Sequence, residues 1–206
     1  MKKARLIALL MTLCMASACF LSGTVSKYTS TSTGTGTYDI AQWVFDVNDV
    51  NIAQTAAQTF DIKLGNTLDT DTTDPDADNQ VASGKIAPGT KGSFTIVLEN
   101  TSEVDATYNI TYTVPQVGGQ AMPFTYSVVT TVKDNVGNTV GSPTTVEVLN
   151  NVTGAAIARG QTVKVVVNWT WAYNNADNSI DTAIGIASTG TEDLVISATV
   201  TATQAD

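Results

Sequence analysis

The chain has 206 residues, with 19 acidic side chains against 10 basic ones, no histidine, and a net charge of −9 at pH 7. Without imidazole, the usual general base and the usual zinc ligand are missing, which excludes a Ser-His-Asp triad and an HExxH metalloprotease site. So acidic a surface repels nucleic acid and anionic lipid, and no basic patch offsets it.

Lys2, Lys3 and Arg5 precede an apolar run from Leu6 to Leu21, which ends in the small residues Ser22-Gly23-Thr24-Val25-Ser26. A basic head, a run too short for a comfortable membrane span and a small-residue exit make up a secretory signal. Residues 1–26 are therefore expected to be a signal peptide cleaved after Ser26, and the product to be secreted to the cell surface or extracellular matrix. A competing reading takes Ala16-Ser17-Ala18-Cys19 as a lipoprotein cleavage box that leaves Cys19 lipidated. Cys14 and Cys19 both lie inside the signal, so a mature chain starting at Lys27 has no thiol, disulfide or cysteine metal site. Loss of Lys2, Lys3 and Arg5 also moves the net charge from −9 to −12.

Residues 27–37 read KYTSTSTGTGT. Threonine favours extended backbone while Gly and Ser weaken packing, so this stretch is β-capable with Tyr28 as its one large anchor. It reads either as a flexible tail or as an extended arm that pairs with an open sheet edge on a neighbouring subunit. In the second case Lys27, Tyr28, Thr29, Thr31, Thr33, Thr35 and Thr37 form the subunit contact.

Residues 38–206 are expected to form one β-sandwich domain. Ile40, Trp43, Phe45 and Val47 supply a first core strand, and Phe60, Ile62 and Leu64 a second. Residues 69–79, DTDTTDPDADN, then concentrate five aspartates in a loop. The spacing of Asp74, Asp76 and Asp78 resembles the opening of an EF-hand. Asn79 stands where Gly is needed, however, and Lys85 where the bidentate Glu belongs. The loop is either solvated or a calcium site, and Ca2+ is the one cofactor it would hold.

Phe94, Ile96 and Leu98 alternate on one strand. Beyond the turn at Glu99–Glu103, Val104, Ala106, Tyr108, Ile110, Tyr112 and Val114 alternate on the next, and together they read as a hairpin with one dry face. A sheet with a single apolar face needs a second sheet against it. Pro115 to Pro123 reads as a loop, Phe124 to Val132 as a strand, and Val146 with Val148 as a candidate edge strand. The most apolar strand carries Val163, Val165, Val167, Trp169 and Trp171, whose aromatics are expected in the core. A single helical turn is expected around Asp181–Ile184, and Leu194 to Ala202 form the closing strand. The carboxylates Asp177 and Asp181 are the remaining candidates for glycosidic chemistry, supported by nothing beyond their presence.

The stretch Gly23-Thr24-Val25-Ser26-Lys27-Tyr28-Thr29 resembles the signal junction of the TasA/camelysin family of secreted bacterial matrix proteins. Ile40–Val47 resembles a first mature strand of that family, and Ile86-Ala87-Pro88-Gly89 with Ser93–Asn100 its Pro-Gly turn and following strand. Trp169-Thr170-Trp171-Ala172-Tyr173, then Asn175-Ala176-Asp177 and Asp181-Thr182-Ala183-Ile184-Gly185, is similar to its most specific block. The resemblance implies an all-β, jelly-roll-like antiparallel sandwich that forms extracellular fibres by donating its N-terminal strand to the next subunit. It implies a homopolymer, with a signal peptidase met during export and no small-molecule substrate. The proteolytic activity attached to camelysin finds no support in a chain without histidine, and no enzyme is expected. The alternative of a different class is a monomeric cell-surface binding or hydrolytic sandwich, calcium-dependent through the acidic loop.

Overall fold

Val163, Val165, Val167, Trp169 and Trp171 recur at the strand period, and all five are buried on one side of a single strand. The computed structural model describes residues 40–55, 57–69, 85–172, 178–190 and 193–205. All belong to the unit Ile40–Asp206, while the unit Met1–Asp39 lies outside the described residues.

In chain order the strands are β1 (Phe45–Val47), β2 (Val50–Asn51), β3 (Gln58–Lys63), β4 (Lys91–Asn100), β5 (Ala106–Thr113), β6 (Gln116–Val117) and β7 (Gln120–Ala121). They continue as β8 (Phe124–Lys133), β9 (Thr144–Val146), β10 (Val152–Ile157), β11 (Thr162–Trp171) and β12 (Val195–Gln204). A 3₁₀ turn, Leu64–Asn66, follows β3, and a helix α1, Ser179–Ala187, precedes β12.

The main body is an antiparallel β-sandwich. One sheet has six strands in the order β2-β1-β4-β11-β8-β9, the other four in the order β10-β5-β12-β3. Both donate their apolar faces to one core: Phe94, Ile96 and Leu98 from β4 meet Tyr108 and Ile110 from β5 and Ile196, Ala198 and Val200 from β12. Trp169 is fully buried, with Nε1 donating to Thr67 Oγ1 at 2.9 Å. Gly92 makes room for that arrangement, since a Cβ there would lie 2.2 Å from the Thr67 carbonyl oxygen.

Four expectations need correction. β4 and β5 alternate as predicted but are not a hairpin: they lie in different sheets, and residues 101–105 carry the chain across the sandwich. The cause is the buried Asn100, whose Nδ2 donates to Val104 O at 3.0 Å and to Ile157 O at 3.1 Å. Its Oδ1 accepts the Ser102 N–H at 3.2 Å and the Ser102 hydroxyl as well. This network turns the chain out of the plane of its first sheet, so Val104 falls outside β5; Val114 lies just past the strand's other end.

The first core strand also starts late. Ile40 is 95% exposed, and apolar burial begins with the half-buried Trp43 and the enclosed Phe45. The loop between Pro115 and Pro123 contains the small hairpin β6–β7, its reversal made by Gly118 and Gly119 at φ +58° and +80°. Around Asp181 the chain makes a nine-residue helix rather than one turn.

Candidate functional site

The predicted arm residues Lys27, Tyr28, Thr29, Thr31, Thr33, Thr35 and Thr37 lie outside the described residues, as do Asp74, Asp76, Asp78 and Asp177. What the described residues do present is the partner of such an arm, the rim of the sandwich. Two sheets in the orders given have four outer strands, β2 and β9 in one sheet and β10 and β3 in the other.

Three of these edges are blunted. β2 has two residues. β9 has three, all exposed, and covers Val128–Thr130 of β8. β10 changes register between Val152 and Ala155, with Gly154 at φ +62°, and such a bulge spoils a flat edge for pairing.

β3 differs: it runs six residues in continuous register against β12. Leu64 N donates to Leu194 O at 2.9 Å, and the same register sets Ile62 opposite Ile196 and Phe60 opposite Ala198. Hydrogen-bonded pairs recur every second residue in an antiparallel ladder, so Thr59, Asp61 and Lys63 turn their backbone N–H and C=O groups away from β12. Among the described residues no strand pairs with that side. The Thr59 carbonyl accepts a 3.3 Å bond from its neighbour Gln58 Nε2. Phe60 and Ile62 pack against the core yet remain half-buried, so apolar surface reaches the rim here.

A second feature lies at the end of the sandwich where β3 and β11 finish. A cleft of about 380 Å³ is lined by Met122, Trp171, Ile184 and Leu194 together with Lys63, Lys85, Asp181 and Asp193. Trp171 closes it: its N–H donates to Thr90 O at 2.8 Å, its carbonyl accepts Gly89 N–H at 2.7 Å, and its Nε1 donates to Asp181 Oδ1 at 2.8 Å. Asp181 thus serves as an acceptor that docks α1 on β11. The sequence places both tryptophans in the core, and both are there; Trp171 also forms part of the cleft wall.

Lys63 Nζ lies 2.6 Å from Asp193 Oδ2, and this hydrogen bond, followed by the charge of Asp193, raises the ammonium pKa above its ordinary value. Lys85 Nζ donates to Gly190 O at 2.5 Å. Among the described residues no group of three or more acidic or sulfur ligands converges on a point that could hold a metal ion.

No protein family's profile matches the chain, and no curated protein matches it. Among solved structures, TmCBM61 in complex with β-1,4-galactotriose is similar over 79% of this chain and 88% of its own, at 9% identity and a TM-score of 0.22. So low a score leaves the fold described above to stand on its own strand pairing.

The rim strand was open to sequence reading in part. Phe60 and Ile62 alternating with Thr59, Asp61 and Lys63 mark a strand with one wet face. Its position at a sheet edge depends on pairing partners more than 100 residues away, and no local pattern carries that.

Proposed function

We propose that the protein is a secreted, non-catalytic structural subunit that polymerises into extracellular fibres by lending residues 27–37 to a sheet edge of the next copy. The observation that supports this reading best is β3, a continuous six-residue edge with apolar side chains at its rim. An added strand would satisfy its outward backbone groups and cover Phe60 and Ile62. A contact between an arm and a different surface of the neighbour is heterologous and does not close, so it propagates as a filament. The net charge of −12 expected after signal cleavage keeps such subunits soluble before they assemble.

The test is electron microscopy of purified protein beginning at Lys27. Filaments are expected, and deletion of residues 27–37 should leave a folded monomer. Filaments that survive the deletion, or a full-length mature chain that stays monomeric at high concentration, would refute strand donation. The second reading, a monomeric binding sandwich, draws on the cleft beside Trp171 and would gain from the latter result.

A further inference from the structure

We infer that the acceptor rail is the outer edge of β3, and that the arm docks there with its threonines continuing the hydroxyl face of the four-stranded sheet. This deepens the strand-donation reading and rests on it. The occupant is residues 27–37 of a second copy of this chain.

The outer face of the β10-β5-β12-β3 sheet is a ladder of short polar side chains bonded strand to strand. Thr59 and Thr199 hydroxyls lie 2.9 Å apart, as do those of Thr107 and Thr203. Asn109 Nδ2 donates to Thr201 Oγ1 at 2.8 Å, and Ser197 Oγ donates to Asp61 Oδ1 at 2.6 Å. The ladder stops at Thr59 and Asp61 because β3 is the last described strand of this sheet, although both backbone and side chains there suit continuation.

The arm has the matching pattern. Thr29, Thr31, Thr33, Thr35 and Thr37 occupy every second position, while Tyr28, Ser30, Ser32, Gly34 and Gly36 occupy those between. In an extended strand these are opposite faces. With the threonines outward beside Thr59 and Asp61, the small Ser and Gly positions turn inward and let the arm lie close over Phe60 and Ile62. Tyr28 then supplies the inward apolar bulk. The reverse orientation would crowd β-branched side chains against the rim and expose the tyrosine.

Length agrees. Eleven residues extend about 36 Å and a six-residue strand about 20 Å, which leaves about five residues to cross between copies.

The decisive variant is Asp61→Pro. Residue 61 points its N–H away from β12, so proline there costs no backbone bond within the subunit and only the exposed bond from Ser197 Oγ to its carboxylate, while removing a donor from the rail and obstructing an incoming strand. The variant should fold like wild type, fail to elongate, and shorten wild-type filaments when added below equimolar amounts, since it can still donate its own arm. Mixed with a chain lacking residues 27–37, it should give one-to-one dimers and nothing longer.

The face assignment is read by disulfide capture, clean in a mature chain without cysteine. Thr59→Cys should cross-link between copies with Thr31→Cys or Thr33→Cys and not with Ser32→Cys. Should arm-dependent filaments form undiminished from Asp61→Pro, the acceptor lies elsewhere and this inference fails while strand donation stands. Filaments that ignore loss of the arm would sink both. If Asp61→Pro does not fold, the cysteine pairs decide alone, and capture without odd–even alternation overturns the inference.

Discussion

Asn100 Nδ2 donates to the Ile157 carbonyl at 3.1 Å, one bond that ties β4 of the six-stranded sheet to β10 of the four-stranded sheet. Around it, Gly160 N donates to Asn100 O at 2.7 Å and Asn100 N to Gln161 O at 3.0 Å, so two crossings between the sheets share one buried amide residue. That residue is why β4 and β5 separate into different sheets. A buried amide with all its valences used specifies one chain path, because any other path strands polar groups away from water.

Asn100→Ala removes the donor to Val104 O and Ile157 O and the acceptor for Ser102. Each buried group left unpaired costs about 1–3 kcal/mol, and partial relaxation should hold the total near 3 kcal/mol. Urea unfolding will measure it. Ser102→Ala should cost about 1 kcal/mol, and equal losses for the two variants would contradict the central place given to the amide.

Gly92→Ala tests close packing rather than backbone freedom. The new Cβ would sit 2.2 Å from Thr67 O and 2.8 Å from Trp169 Cζ2, and the bond from Trp169 Nε1 to Thr67 Oγ1 holds both neighbours in place. Overpacking of this kind costs about 1–3 kcal/mol, and this site should fall at the upper end. Thermal unfolding and a shift in tryptophan emission are the readouts; an unchanged midpoint would show that the 3₁₀ turn moves aside freely.

Tyr112 points its hydroxyl into the sandwich, where it finds no hydrogen-bond partner among the described residues. Burial, followed by the neighbouring Tyr108, pushes its pKa up to about 12, and burial alone brings Tyr126 to about 12. Tyr112→Phe should therefore hold stability within about 1 kcal/mol of wild type or raise it, since no bond is lost and an unpaired polar group disappears.

The same two tyrosines set the alkaline limit. Their folded pKa values exceed the usual 10.0, so the stability linked to their neutral forms is complete below pH 10 and is lost as pH rises towards 12. Burial raises the pKa of Tyr108 as well, so tyrosinate absorbance should show three phenols that ionise above the usual range and together with unfolding. Titration of all tyrosines near pH 10 in a still-folded protein would contradict their burial.

Asp181→Ala removes the acceptor of the Trp171 indole N–H and a carboxylate from the first turn of α1. The lost bond and the lost favourable charge at a helix N-terminus together should cost about 1–2 kcal/mol. Asp181→Asn keeps an acceptor and should lose less. Hydrogen exchange confined to α1 is the expected signature, and identical exchange in wild type and Asp181→Ala would show that the bond does not hold the helix.

The strands themselves were legible because alternation is local. Phe94, Ile96 and Leu98, then Val163 to Trp171, then Ile196, Ala198 and Val200 all present the period of two in the sequence, and all are buried. The same reading missed the extent of α1. Nine residues with Ile184 as their one buried side chain carry little helical periodicity, and the helix is held by Asp181 on Trp171.

Composition and period-two patterning thus suffice for the β class, the apolar faces and the exclusion of histidine chemistry, since each depends on residues within a few positions of one another. They are silent on pairing. A strand that leaves a turn can fold back beside its predecessor or cross to the opposite layer with the same alternation. Here Asn100 chooses the crossing by reaching Ile157, 57 positions further along the chain. Likewise, the ladder between β3 and β12, residues more than 100 positions apart, leaves Thr59, Asp61 and Lys63 facing outward, a consequence of long-range hydrogen bonding that no stretch of sequence contains by itself.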